Sequence, residues 1–160
     1  MNFQKNLFLI GGNEERGPQG NLLSHFIDLC GETPRIIIIS GASSFPEQVA
    51  NTYQEIFINR GASQVDCVLF NDRRDGVHQE NRDLLHRADG VFVTGGNQVK
   101  LVGTMGGTPF HKLLLKRINS GMVYGGTSAG ASIVSRIMIA GGRGSFNPRK
   151  NTVKISGGLG

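Results

Sequence analysis

Gly126-Thr127-Ser128-Ala129-Gly130 is a G-x-S-x-G pentapeptide between an apolar run, Met122-Val123-Tyr124, and a stretch that reads as a helix from Ala129 to Ile139. That is the context a nucleophilic serine needs. A sharp strand-to-helix turn holds such a serine in strained dihedrals, and flanking glycines spare it collisions with neighbouring backbone. Ser128 would then lift its hydroxyl above the sheet edge, with the N–H of Ala129 turned toward an oxyanion. The matching chemistry is acyl transfer. The pentapeptide has two plainer readings: a small-residue turn that lets a helix start close to a strand, and a phosphate cradle. A second glycine turn, Thr94-Gly95-Gly96-Asn97-Gln98, also follows an apolar run. It is positioned to add a backbone N–H from Gly96 and the side-chain amide of Gln98 to the same crevice.

Both turns need a scaffold that delivers them to one edge. Leu7-Phe8-Leu9-Ile10 is a buried-strand run stopped by Gly11-Gly12, and Asn21 to Leu29 carries apolar residues at helical intervals. Arg35 to Ser40 is a second strand, followed by a helix through Val49, Tyr53, Ile56 and Phe57 that Gly61 ends. Val65 to Phe70 is a third strand, Asn71 to Gly76 a charged loop, and Asn81 to Ala88 a short helix. Val91-Phe92-Val93 is the fourth strand, with helices from about Val99 and from Pro109 to Asn119; Met122-Val123-Tyr124 is the fifth. Strands alternating with helices imply right-handed crossovers and a parallel sheet covered on both faces. The expected fold is therefore α/β, a three-layer sandwich around a mainly parallel sheet. In such sheets functional residues gather at the carboxyl ends of strands. Here those ends are Gly11-Gly12, Ser40-Gly41, Gly95-Gly96 and Gly126-Thr127.

The composition narrows the class. A 160-residue chain with 38% hydrophobic and 18% charged residues can bury a real core, which excludes a disordered tail. The 24 glycines follow no G-X-Y period, so collagen is excluded too. Cys30 and Cys67 lack metal spacing and fit a reduced compartment. The first residues are too short and wrongly flanked for a signal peptide, and no apolar run reaches membrane-spanning length, so the expected location is the cytoplasm. The net charge of +5 is unevenly spread: residues 1–89 hold eight Lys/Arg against twelve Asp/Glu, while residues 90–160 hold nine Lys/Arg and no carboxylate. Such a basic half could attract an anionic substrate. Nucleic acid is not expected, because no recognition helix or aromatic-interleaved strand accompanies the charge.

Leu9-Ile10-Gly11-Gly12, Phe92 to Gln98, Gly103-Thr104, Gly125 to Ala131 and Gly158-Leu159-Gly160, taken in order, resemble cyanophycinase. This is a serine exopeptidase family related to aspartyl dipeptidase and built on a class I glutamine-amidotransferase-like (flavodoxin-like) sheet. The most specific segments are TGGNQ and GGTSAGA. The resemblance implies hydrolysis of cyanophycin, a polyaspartate whose side chains carry arginine, to β-Asp-Arg dipeptides. It makes Ser128 the nucleophile, Gly96 and Ala129 the oxyanion donors, and Gln98 with Asn97 substrate-binding residues. It implies no cofactor and no metal, no nucleic-acid or membrane partner, and a homodimer.

A serine hydroxyl needs a base, normally a histidine oriented by a carboxylate. The resemblance implies a histidine and then an acid downstream of the nucleophile, beyond Val153 to Gly160, and the sequence carries neither after Ser128. The expectation is one α/β hydrolytic domain over residues 1–160, incomplete at its C-terminus. His25, His78, His86 and His111 all lie upstream and read as helix-surface or helix-end residues. His111, between the two glycine turns, is the candidate base among them. Three alternatives stay open: an aspartyl-dipeptidase-like peptidase, a binding module without catalysis, and a nucleotide binder, the last without a G-x-G-x-x-G or P-loop pattern. Arg73, Arg74 and Asp75, like Asn13, Glu14, Glu15 and Arg16, sit on loops where they either touch substrate or form a solvated face. Arg143, Arg149 and Lys150 read as a mobile basic loop.

Overall fold

Four consecutive isoleucines, Ile36 to Ile39, are each 1% exposed or less, which only a strand covered on both faces allows. In the computed structural model, which describes residues 7–17, 20–41, 43–142 and 152–160, they form the body of strand β2 (Arg35–Ser40). The chain before it supplies β1 (Leu7–Ile10) and α1 (Asn21–Cys30). After it come α2 (Pro46–Asn59), β3 (Gln64–Leu69), a 3-10 turn (Arg73–Gly76), α3 (Gln79–Arg87), β4 (Gly90–Val93), α4 (Gln98–Met105), α5 (Pro109–Asn119) and β5 (Val123–Thr127). The chain continues through α6 (Ala129–Ile133), β6 (Ile137–Gly142) and β7 (Val153–Gly157). Strands one to five pair in parallel in the order β1-β5-β4-β2-β3. The basic loop expected at Arg143, Arg149 and Lys150 lies outside the described residues.

Alternation along each strand sends side chains to two separate cores. One face carries Ile36, Ile38 and Phe92 against Leu23, Phe26 and Ile27 of α1 and Ala50, Tyr53 and Phe57 of α2. The other carries Ile37, Ile39, Val91, Val93 and Tyr124 against α3 to α6, through Leu85, Leu101, Met105, Phe110, Leu114 and Ile133. These are the three layers the strand–helix alternation predicts. Among the described residues no helix is long and apolar enough to cross a membrane.

One element departs from expectation. The helix predicted from Ala129 to Ile139 ends at Ile133, and Ile137 to Ile139 lie in β6, paired antiparallel with β7. Local competition explains the stop. Ser135 Oγ bonds to the carbonyls of Ser132 and Ile137, and the N–H of Leu159 takes the carbonyl of Ile133 at 2.7 Å. The β-branched Ile137 and Ile139 then find a strand partner in a later stretch of chain, which a local helical period cannot reveal. The hairpin's apolar face, Ile137, Ile139 and Ile155, is exposed.

Phe92 is the hub of the first core, with ring centroids 5.1–5.2 Å from Phe26, Tyr53 and Phe57. Phe92→Ala should therefore destabilise the protein by about 3–5 kcal/mol in urea unfolding, the usual cost of deleting a fully buried phenyl group.

Candidate active site

β1 and β5 are neighbours in register, Ile10 opposite Thr127, but the chain leaves them in opposite directions. From β1 it turns to the α1 face; from β5 it enters α6 on the other face. Diverging exits open a crevice at the carboxyl ends. Ser128 sits on its floor, exposed, with its N–H donating to the carbonyl of Ile10 at 2.9 Å. Its dihedrals are φ 52° and ψ −109°, so a residue with a β-carbon is held in left-handed backbone at the strand-to-helix turn.

The glycines around it act as the sequence suggests. A β-carbon on Gly130 would stand 2.1 Å from the Val93 carbonyl oxygen, and one on Gly126 2.6 Å from the backbone of Gly130. α6 can therefore lie directly on β4 and β5. Tyr124 seals that contact by donating its buried hydroxyl to the Gly130 carbonyl at 2.6 Å. Gly12, at φ +111°, comes so close that a β-carbon there would be 3.2 Å from Ser128 Cβ.

A cavity of about 280 Å³ opens over the serine, lined by Gly11, Gln98, Ser128, Ala129, Ala131 and Ser132. A second recess of about 30 Å³, among Arg35, Asp66 and Arg87 at the opposite strand ends, holds little more than one water. Gln98 reaches the larger cavity, and its amide nitrogen donates to the Ile139 carbonyl at 2.9 Å. Asn97 also serves local structure: its Oδ1 caps α4 by accepting from the N–H of Lys100 at 3.0 Å. Gly95 adjoins Ser128, where a β-carbon would be 3.5 Å from Ser128 Cβ, and Gly96 beside it is exposed at φ +136°. Ala129 is the first residue of α6, so its N–H belongs to a helix turn without intrahelical acceptors.

Other candidates have different work. His111 takes the N–H of Gly107 on Nδ1 at 3.0 Å and meets the Leu159 carbonyl through Nε2 at 2.8 Å, so both ring nitrogens are committed and it is not free to serve as the base. Arg73 donates to the Gly103 carbonyl, Arg74 pairs with Asp72, and Asp75 accepts from the N–H groups of Asn71 and Asp72. That charged loop holds its own 3-10 turn together.

Glu14 is what sequence reasoning missed. Expected on a loop that either touches substrate or forms a solvated face, it is buried instead, with a side-chain exposure of 0%. Its Oε2 accepts from Thr127 Oγ1 at 2.5 Å, and its Oε1 from the Tyr53 hydroxyl and from Arg16, whose guanidinium lies over the Tyr53 ring. Burial pulls the Glu14 carboxyl upward, but the bonds from Thr127, Tyr53 and its own backbone, with the Arg16 charge, outweigh it and hold the group below the usual carboxylate range. Burial and the adjoining carboxylate push the Tyr53 phenol far up, so it stays a donor. The available signal was position: a carboxylate just past Gly11-Gly12, at a strand's carboxyl end.

Residues 7–159 match peptidase family S51. Cyanophycinase of Geminocystis herdmanii is 33% identical over 159 residues, 98% of this chain and 58% of that protein. Peptidase E of Streptomyces coelicolor is 37% identical over 62 residues, 38% of this chain and 26% of its own length. Among solved structures, a peptidase from an acI-B1 Actinobacterium superposes with a TM-score of 0.74 at 21% identity, covering 96% of this chain and 63% of that one. The chain spans about half the length of the curated relatives it matches.

The Glu14 network has a pH signature. A lowered native value makes its contribution complete above the ordinary carboxyl value of 4.5 and lost as pH falls through the native value. Urea unfolding should show wild type more stable than Glu14→Gln by about 1–3 kcal/mol at neutral pH, since the amide sets a donor against a buried hydroxyl. That advantage should shrink below pH 4.5.

Proposed function

The chain belongs to peptidase family S51, and on that premise we propose that Ser128 is the nucleophile of a serine-type exopeptidase that hydrolyses cyanophycin to β-Asp-Arg dipeptides. The observation that carries the reading is the left-handed backbone of Ser128 at the tip of a strand-to-helix turn that opens on a cavity. Such strain persists where it is used, and a nucleophile elbow uses it to lift a hydroxyl clear of the sheet.

In this reaction Ser128 Oγ attacks the carbonyl carbon of the scissile amide while a base takes its proton. The N–H groups of Gly96 and Ala129 receive the resulting oxyanion, the amine leaves with the proton, and water then releases the acyl group from the serine. Among the described residues, those lining the cavity include no histidine or carboxylate, and His111 is committed elsewhere. The resemblance implies a histidine and an acid downstream of the nucleophile for that part. Gln98, already at the cavity wall, is the substrate-binding side chain; Asn97 orients α4 beside it.

The polymer is favoured by the cyanophycinases, which match nearly all of the chain, and by the excess of Lys and Arg in residues 90–160, which suits a substrate carrying carboxylates. A short β-aspartyl peptide is the second reading, because a cavity of about 280 Å³ seats a short substrate as readily as a chain end. The working form we propose is a cytoplasmic homodimer that needs no cofactor.

Dipeptide release from cyanophycin and cleavage of a β-aspartyl dipeptide, each assayed with the protein and with Ser128→Ala, test this reading. The variant should lose at least about a thousandfold in rate and all labelling by a fluorophosphonate. Undiminished turnover by Ser128→Ala would move the nucleophile elsewhere. Faster cleavage of the dipeptide than of the polymer would select the second reading.

A further inference from the structure

Asn13 and Ser128 are the two residues other than glycine with left-handed backbone among those described, at φ 53° and 52°. Each adjoins one end of the same buried hydrogen bond. Glu14 follows Asn13, Thr127 precedes Ser128, and Thr127 Oγ1 donates to Glu14 Oε2 at 2.5 Å. The two turns also touch, since a β-carbon on Gly12 would stand 3.2 Å from Ser128 Cβ, tighter than ordinary contact. Unfavourable backbone of this kind survives only where its surroundings over-determine it. Backbone pairing alone does not do so, because the β1–β5 ladder stops at Ile10 and Thr127 and the N–H of Ser128 adds one bond beyond it.

The Glu14 carboxylate adds a side-chain constraint across the two turns. Among the described residues it faces donors: Thr127 from β5, Tyr53 from α2 and Arg16 from its own loop. A carboxylate offers two acceptor oxygens to this set, whereas an amide would offer one and turn a donor toward a donor. Thr127 is 2% exposed and Tyr53 1%, so both bonds are shielded from solvent.

We infer that Glu14 is a positioning residue: its buried carboxylate, acting through Thr127, clamps the turn after β1 onto the turn after β5 and fixes where the Ser128 hydroxyl stands. Glu14 bonds to the residue before Ser128 and so acts at one remove from the reacting atoms. The kinetic consequence rests on the reading of Ser128 as nucleophile; the geometric one stands without it.

The test uses Glu14→Gln, Thr127→Val, the double variant and Thr127→Ser, which keeps the hydroxyl, under conditions where urea curves show each folded. Two readouts are taken: the rate of fluorophosphonate labelling at Ser128, and the Ser128 amide and Cα resonances with the HN–Hα coupling that reports its φ. Glu14→Gln and Thr127→Val should each slow labelling about tenfold or more, shift the Ser128 resonances and change the coupling. Thr127→Ser should stay within about threefold of wild type, and the double variant should be no slower than either single one. Unchanged Ser128 resonances and coupling in Glu14→Gln and Thr127→Val, or effects that multiply in the double variant, would overturn the clamp. If wild type takes no label, Ser128 lacks an activating base in this chain, and the resonances and coupling alone decide the clamp.

Discussion

The backbone of α6 rests on the backbone of β4, and the site depends on that contact. At Gly130 there is no room for one carbon atom beside the Val93 carbonyl. This closeness lets the helix begin one residue after the strand ends, and a connection that short leaves Ser128 no relaxed conformation. The same contact buries the Gly130 carbonyl, which Tyr124 satisfies from beneath. A larger residue at Gly126 or Gly130 would lift α6, lengthen the turn and release the strain at the serine. The apolar faces of the sheet supply cohesion; the missing side chains supply the geometry.

Above the first core the strands change character together. Ile36, Ile38 and Phe92 are apolar, yet on the same face the next positions toward the carboxyl ends are Ser40, Thr94 and Thr127, all buried. The register aligns them, because Ile39 pairs with Val93 and Val93 with Gly126. Ser40 bonds to the Pro46 carbonyl and Thr127 to Glu14, while the Thr94 hydroxyl, among the described residues, has no partner. The result is a hydroxyl-lined ceiling between the aromatic core and the crevice. A carboxylate can be buried beside such a ceiling at tolerable cost, since both its oxygens find donors.

Most of the scaffold was legible because each strand is a compact apolar run and each glycine pair marks an exit. Ser128 was legible as a special position because its pentapeptide falls between a strand and a helix, and the backbone bears out the strain this implies. The end of α6 was not, since Ile137 and Ile139 satisfy a helical period as well as a strand, and only β7 decides between them. Asn97 read as a ligand residue, and its part as a cap was not legible, because only the position of the Lys100 N–H shows that its Oδ1 is also used there. Glu14 read as a surface charge because charge is usually solvated. Its burial depends on Tyr53 and Thr127, neither near it in sequence, and no local pattern encodes such a meeting.

The sheet order also sets a sequence of events during synthesis. Among the described residues β1 comes first in the chain, yet the strand it pairs with is β5, the fifth of the sheet in sequence. Until Val123 to Thr127 is available, Leu7 to Ile10 has no ladder to join, whereas β2, β3 and β4 can already pair. Closing the β1–β5 edge brings Gly12 against Ser128 and carries Glu14 out of water in a single step. The bond between Thr127 and Glu14 therefore closes later than the β2–β3–β4 ladder: much of the sheet can be paired before the turn after β1 is fastened to the turn after β5.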